Sequence, residues 1–138
     1  MNRTFLLDTC ALIWIMENAE LTSTAVEAMD AAFDRGDFVY ASPITAWEIG
    51  LLAASGRFKS FLTPQKWLQQ LLETPNVRLA ELPPRVLLEA SLLPGSPPRD
   101  PADRIIAATA REFGFTVLTR DRALLDYGTQ GYLSAIAC

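Results

Sequence analysis

Two short apolar runs near opposite ends of the chain, Thr4-Phe5-Leu6-Leu7 and Phe115-Thr116-Val117-Leu118-Thr119, run straight into aspartates, Asp8 in the first case and Arg120-Asp121 in the second. Unbroken apolarity over four or five residues predicts a strand buried on both faces. Phe38 to Ala41 and Val77 to Leu82 read as two more strands, and Tyr132 to Ile136 as a last one. The intervals carry helical periodicity. A first helix fits Ala11 to Met16, and a second Thr24 to Arg35, with Thr24 and Glu27 as a capping box, Gly36 as its stop and Val26, Met29 and Phe33 as its inward stripe.

Ser42-Pro43 opens the next helix, Ser42 capping and Pro43 in the first position. Ile44, Trp47, Glu48, Leu51 and Leu52 share one of its faces, so Glu48 is the only charge on an apolar stripe. Thr63-Pro64 starts a helix through Leu72 with Trp67, Leu68, Leu71 and Leu72 on its apolar side, and Pro84 to Leu92 forms another. A Pro-rich loop, Leu93 to Pro98, then leads into Asp100-Pro101, the N-cap and first position of a helix that Gly114 ends. Its middle, Ile105 to Ala110, is nearly apolar all round and predicts packing on both sides. A short helix ending near Gly128 follows the last aspartate. Strands alternating with helices predict an α/β layer fold with a mainly parallel central sheet flanked by helices.

In such a sheet ligands bind off the carboxyl ends of the strands, where Asp8 and Asp121 fall. Asp103 sits in the first turn of its helix on the face of Ile106, Ala107 and Ala110, directed along a buried seam. Each acid has an ordinary use as well: Asp8 and Asp121 can cap the helices that follow them, Asp103 fits a capping box, and Glu48 can pair with an arginine such as Arg104. What those uses leave unexplained is the set. Burying an unpaired carboxylate is costly, so Glu48 on an apolar face demands either a cation from the protein or a metal.

Composition sharpens this. The 138 residues are half hydrophobic, enough for one domain, residues 1–138, with a substantial core. Histidine is absent, which removes His-based acid/base chemistry, the usual zinc sites and Ser- or Cys-His nucleophile pairs. Cys10 and Cys138 lack metal-knuckle spacing and read as inert thiols. Twelve basic and sixteen acidic residues give a net charge of -4, which argues against a nonspecific grip on nucleic acid. Without Asp8, Glu48, Asp103 and Asp121 the balance is twelve against twelve, so the entire surplus can sit in one pocket awaiting cations. Arg99, Arg104, Arg111, Arg120 and Arg122 gather around the later motifs, and an anionic substrate is expected from that side.

Four converging carboxylates without His form the oxygen-donor environment that Mg2+ or Mn2+ prefers. Such a site activates water for in-line attack on a phosphodiester. Thr9 and Thr119, next to two of the acids, can hold carboxylates by hydrogen bonds. Thr4 to Met16 imitates a short signal peptide after Arg3, but Asp8 interrupts it, no small-residue cleavage site follows, and it is too short to span a membrane; the expected address is the cytoplasm.

The segments "LLDTCALIW", "SPITAWEIG", "RDPADRIIAATA" and "VLTRD", in this order and at these intervals, resemble the motif series of PIN-domain proteins, closest to VapC-type toxins of bacterial toxin-antitoxin pairs. The resemblance runs from Phe5 to Asp121. It implies a PIN-like three-layer fold and a Mg2+- or Mn2+-dependent endoribonuclease in which Asp8, Glu48, Asp103 and Asp121 hold metal and activate water. Thr9, Thr119, Asp100 and Arg104 are expected to support them. It also implies a homodimer and a small cognate antitoxin whose C-terminal segment blocks the site. Ala102 stands where relatives often have an aromatic, and "PGSPP" lacks a histidine frequently seen before Arg-Asp-Pro; both touch substrate choice more than the acids.

Other strand-end aspartate enzymes fit worse. A haloacid dehalogenase-like phosphatase needs an Asp where Cys10 stands, a response-regulator receiver needs an acid pair at its first strand and a late lysine, whereas the only lysines are Lys59 and Lys66, and no Gly-Lys-Ser/Thr phosphate loop is present. The rival from another class is a PIN-like module that binds RNA or protein without cutting. Carboxylate-metal chemistry does not itself read the 2'-hydroxyl, so the preference for RNA over DNA comes from the resemblance alone.

Overall fold

The computed structural model describes residues 3–138. The chain runs β1 (Thr4–Leu7), α1 (Thr9–Met16), α2 (Ser23–Asp34), β2 (Val39–Ala41), α3 (Ile44–Ala54), α4 (Pro64–Glu73), β3 (Val77–Leu79), α5 (Pro84–Ser91), α6 (Pro101–Phe113), β4 (Phe115–Thr119), α7 (Arg122–Thr129) and β5 (Ser134–Ala137). The five strands form one sheet in the order β3-β2-β1-β4-β5, and every pair is parallel. The expected mainly parallel sheet is thus wholly parallel, each crossover carried by helix.

β1 shows why its sequence has no polar alternation. Phe5 and Leu7 point into a core built with Leu12, Met29, Ile49, Trp67 and Leu71, from α1, α2, α3 and α4. Leu6 points into a second core on the opposite face, with Ile106, Ala107, Val117, Leu124 and Tyr127, from α6, β4 and α7. Helices cover the sheet on both sides, which is the three-layer arrangement. Of the all-round apolar stretch Ile105 to Ala110 in α6, Ile106 to Ala110 are buried and Ile105 is half-buried, and the small alanines let α5 and the sheet approach from different sides.

Several boundaries differ from the sequence reading. The cap of α2 is Thr22, not Thr24: the Thr22 hydroxyl accepts from Ala25 N and donates to Ala137 O, tying the helix start to β5. Gly36 does close the helix, at φ +79°. α3 begins at Ile44, one residue later than expected, with buried Ser42 accepting from Ile44 N. Its buried side chains are Thr45 and Ile49, whereas Trp47 and Leu51 are about half exposed. β3 stops at Leu79 rather than Leu82, and β5 starts two residues late, at Ser134.

The Pro-rich loop is fastened at several points. Buried Tyr127 donates to Pro94 O at 2.7 Å, and Arg104 donates to Ala90 O and Pro98 O. Gln130 exchanges hydrogen bonds with the backbone of Ser96, accepting from its N–H and donating to its carbonyl. This holds the stretch that delivers Asp100 and the start of α6. Among the described residues no helix is long and apolar enough to cross a membrane.

Candidate active site

The chain leaves β1 toward β2 and β3 on one side and returns to place β4 and β5 on the other, so the topological switch point lies between β1 and β4. There neighbouring crossovers depart in opposite directions and leave a crevice above the carboxyl ends of the strands. Asp8 follows β1, and Asp121 follows β4 by two residues. α3 brings Glu48 and the first turn of α6 brings Asp103 to the same place, since each carboxylate lies within electrostatic reach of others in the set.

The local and the assembled uses of these acids coexist. Asp8 caps α1 with one oxygen, Oδ1 accepting from Ala11 N at 2.8 Å, while Oδ2 accepts the hydroxyl proton of Thr119. The Thr119 oxygen accepts in turn from Asp121 N at 2.9 Å, so one buried hydroxyl couples the two strand-end aspartates. Asp121 caps α7 through Leu124 N, and Asp100 caps α6 through Asp103 N. Thr9 donates to Glu48 Oε1 at 2.5 Å and lies 2.9 Å from the hydroxyl of Thr45. Thr9 and Thr119 therefore each hold a carboxylate, though not that of the sequence neighbour: Thr9 holds Glu48 and Thr119 holds Asp8. Thr45 was missed; its only signal is a β-branched polar residue one helical turn before Glu48, on the face that α3 buries.

Among the described residues, no ion pair neutralises this cluster. The ion pairs Arg35–Asp37, Arg85–Glu112 and Arg122–Asp126 involve none of the four acids. Arg104 spends its guanidinium on the carbonyls of Ala90 and Pro98, so it does not pair with Glu48 and supports the site only by fixing the loop before Asp100. Arg120 reaches Glu20 O and Cys138 O and stacks on Trp14, and Arg111 binds Tyr132 O from the last turn of α6, the end away from Asp103. The expected arginine-lined approach is not assembled by these three.

The consequence is electrostatic. Burial, reinforced by the charges of Asp121, Asp100, Glu48 and Asp8, pushes the Asp103 carboxyl up to about 8. Burial also raises Asp8, against the hydrogen bonds from Thr119 and Ala11, and raises Glu48, against the bond from Thr9. Cys10 feels the same field: burial, then Asp8, Glu48, Asp103 and Asp121, lift its thiol to about 11, so it is neutral and unreactive at ordinary pH.

Hard oxygen donors, mutual repulsion and no protein counter-charge among the described residues are the conditions that a divalent cation relieves. The side chains do not close into an all-protein cage of three or more ligands among the described residues. Carboxylate oxygens without histidine or a thiolate are a donor set of the kind hard cations take. A roomy apolar cleft of about 680 Å3 opens elsewhere, between α1, α2 and the end of α4, and none of the four acids lines it.

The sequence pattern of the PIN domain matches residues 5–129. Ribonuclease VapC22 of Mycobacterium tuberculosis (strain ATCC 25618 / H37Rv) is 38% identical to the chain over 122 residues, 88% of this chain and 89% of that protein. Two solved structures share the fold. FitAB bound to IR36 DNA fragment superposes with a TM-score of 0.56 at 21% identity, covering 97% of this chain and 94% of that one. FitAcB from Neisseria gonorrhoeae does so at 0.54 and 22% identity, covering 97% and 96%.

Proposed function

This chain belongs to the PIN-domain family, and from that premise we propose that it is a Mg2+- or Mn2+-dependent endoribonuclease acting as the toxin of a toxin-antitoxin pair. The observation that carries the chemistry is the set Asp8, Glu48, Asp103 and Asp121, gathered at the switch point of a parallel sheet, where burial and neighbouring acids raise the carboxyls of Asp8, Glu48 and Asp103 and no ion pair among the described residues offsets them. The RNA substrate follows from the 38% identity to a protein named as a ribonuclease.

In this reading Asp8, Glu48, Asp103 and Asp121 would hold the metal between them, some directly and the rest through its waters, with Thr9, Thr119 and Asp100 orienting them. Bound Mg2+ or Mn2+ supplies a water of lowered pKa and a charge to stabilise the attacked phosphodiester. Thr119 keeps Asp8 and Asp121 in one relation, because its single hydroxyl serves both. Thr9 holds one oxygen of Glu48 and leaves the other available. Asp103, whose carboxyl burial and its neighbours push up to about 8, would hold a bound cation in its ionised form.

The partners belong to the same proposal. A cognate antitoxin is supported by the apolar cleft beside α1 and α2, lined by Leu12, Ile15, Met16, Val26, Met29 and Phe33, a surface suited to an apolar segment of another chain. A homodimer is supported by Leu88 and Leu92, large apolar residues of the α5 region that are 62% and 67% exposed in one copy. The cytoplasm is the address in which such a ribonuclease would meet its substrate.

The experiment is cleavage of structured and unstructured RNA by purified, antitoxin-free protein with Mn2+ or Mg2+, beside EDTA and Asp103→Asn controls. Cutting that both controls abolish is the expected result. Cutting that survives EDTA sinks the metal mechanism, and a folded protein that binds Mn2+ but cuts no RNA from a broad pool sinks the nuclease.

A further inference from the structure

Thr45 is almost fully buried, at 1% exposure, on the face of α3 that packs inward with Ile49. Valine has nearly the same shape and would suit that environment, so the hydroxyl is the feature that needs a reason. Its only side-chain partner among the described residues is the hydroxyl of Thr9, 2.9 Å away, and Thr9 is itself buried and donates to Glu48 Oε1 at 2.5 Å.

The direction of this chain follows from counting protons. A threonine has one O–H, and an ionised carboxylate only accepts. When Glu48 is ionised, the form that can hold a cation, the proton of Thr9 is committed to Glu48. The contact between the two threonines must then be donated by Thr45, giving Thr45 O–H to Thr9 Oγ1 and Thr9 O–H to Glu48 Oε1. Donation into Thr9 polarises its hydroxyl and fixes its rotor toward the carboxylate, because hydrogen bonds in series strengthen one another in a poorly solvated setting.

We propose that Thr45 is a positioning residue of the metal site, acting on Glu48 through Thr9 without touching substrate or metal. The proposal rests on the assignment of Glu48 to a metal-holding site above. It also explains why the buried face of α3 contains a hydroxyl three residues before the glutamate, where a purely structural helix would place an aliphatic residue.

The test is Mn2+ binding to metal-depleted full-length protein by calorimetric titration, with thermal unfolding in EDTA and RNA cleavage measured alongside. Thr45→Val should weaken Mn2+ binding about tenfold, the lower end of what losing a residue that orients a ligand costs, while melting in EDTA changes little. Thr45→Ser should restore binding to within about threefold of the original, as only a hydroxyl role predicts. In a Thr9→Val background, Thr45→Val should have no further effect on binding, since its path to Glu48 is already cut. In cleavage, the loss should fall on turnover at limiting Mn2+ and shrink at saturating Mn2+, with KM for RNA unchanged.

Should Thr45→Val fail to fold, Thr45→Cys, whose thiol is a weak donor, takes its place with the same expectation. Unchanged Mn2+ binding in the Thr45 variant, with binding lost in Asp103→Asn, overturns the role of Thr45 and leaves the metal site standing. No Mn2+ binding by the unmodified protein overturns the metal site and the role of Thr45 together.

Discussion

Replacing Asp103 by Asn should stabilise the metal-free protein at neutral pH and remove its response to metal. The side chain keeps its shape and can no longer ionise, which burial and four neighbouring acids disfavour in the folded chain. The folded-state pKa, about 8, lies above the ordinary carboxylate value of 3.8, so between these two values the folded chain binds a proton that the unfolded chain has released. Stability attached to this group is therefore intact below about pH 4 and declines as pH rises toward 8. Each pKa unit is worth about 1.4 kcal/mol, which sets an upper bound of about 4 kcal/mol at pH 7. Asp103 keeps some contact with solvent, which screens it, and as the acid in the first turn of α6 it also interacts favourably with the helix dipole. Discounting for both leaves a gain of about 1–2 kcal/mol for Asp103→Asn at pH 7, or about 3–8 °C in melting temperature for a domain of this size. The assay is thermal unfolding of EDTA-treated protein at pH 4.5, 7 and 8.5, repeated with saturating Mn2+. The variant should melt higher than the original in EDTA at pH 7 and 8.5, converge with it at pH 4.5, and gain little from Mn2+, whereas the original gains about 3 kcal/mol at a hundredfold excess over Kd. A variant that melts lower than the original at every pH in EDTA would refute the repulsion argument.

Other consequences can be checked separately. Thr119→Val should lower RNA cleavage about 10- to 100-fold while the fold survives, because it uncouples Asp8 from the Asp121 backbone; near-normal rates with Mn2+ would show that the capping bonds suffice. Arg104→Ala should cost about 1–3 kcal/mol in denaturant unfolding, since the carbonyls of Ala90 and Pro98 lose charged donors and the loop before Asp100 loosens. Gly95→Ala should destabilise by about 2 kcal/mol, because the residue has φ +70° and its Cβ would lie 2.3 Å from Cε2 of Tyr132. Leu88→Glu with Leu92→Glu should shift sedimentation toward the monomer; an unchanged dimer would place the contact elsewhere.

The parts of this molecule legible in the sequence are those whose cause is local. α6 starts and ends where Asp100-Pro101 and Gly114 predict, because an N-cap, a proline at N1 and a glycine at φ +73° act within a few residues. β1 and β4 are legible because burial on both faces writes itself as an unbroken apolar run. The inward face of α3 was not legible: the helix is apolar nearly all round, so periodicity hardly distinguishes the Thr45 and Ile49 face from that of Trp47 and Leu51, and packing against neighbours decides. At α2, three consecutive hydroxyls offer themselves as caps, and Thr22 prevails through a bond to Ala137, 115 residues away. The arginines were misread for the same reason, since nothing local tells that Arg104 and Arg120 serve carbonyl groups brought from distant segments.

That use of arginine bears on what the acidic cluster is for. Twelve basic residues balance the twelve acids outside the cluster, and Arg104 and Arg120 are held on backbone carbonyls. An arginine turned toward Asp103 would lower its pKa and stabilise the chain. A fold shaped only for stability would use it so; natural chains leave such gains unused where a site needs its charge uncompensated. The geometry here goes further, because the hydroxyls of Thr9 and Thr119 favour the charged forms of Glu48 and Asp8 while no protein cation among the described residues offsets them. Donors that sustain negative charge, beside arginines committed elsewhere, leave the counter-charge to a ligand, and carboxylate oxygens are donors that a hard cation accepts.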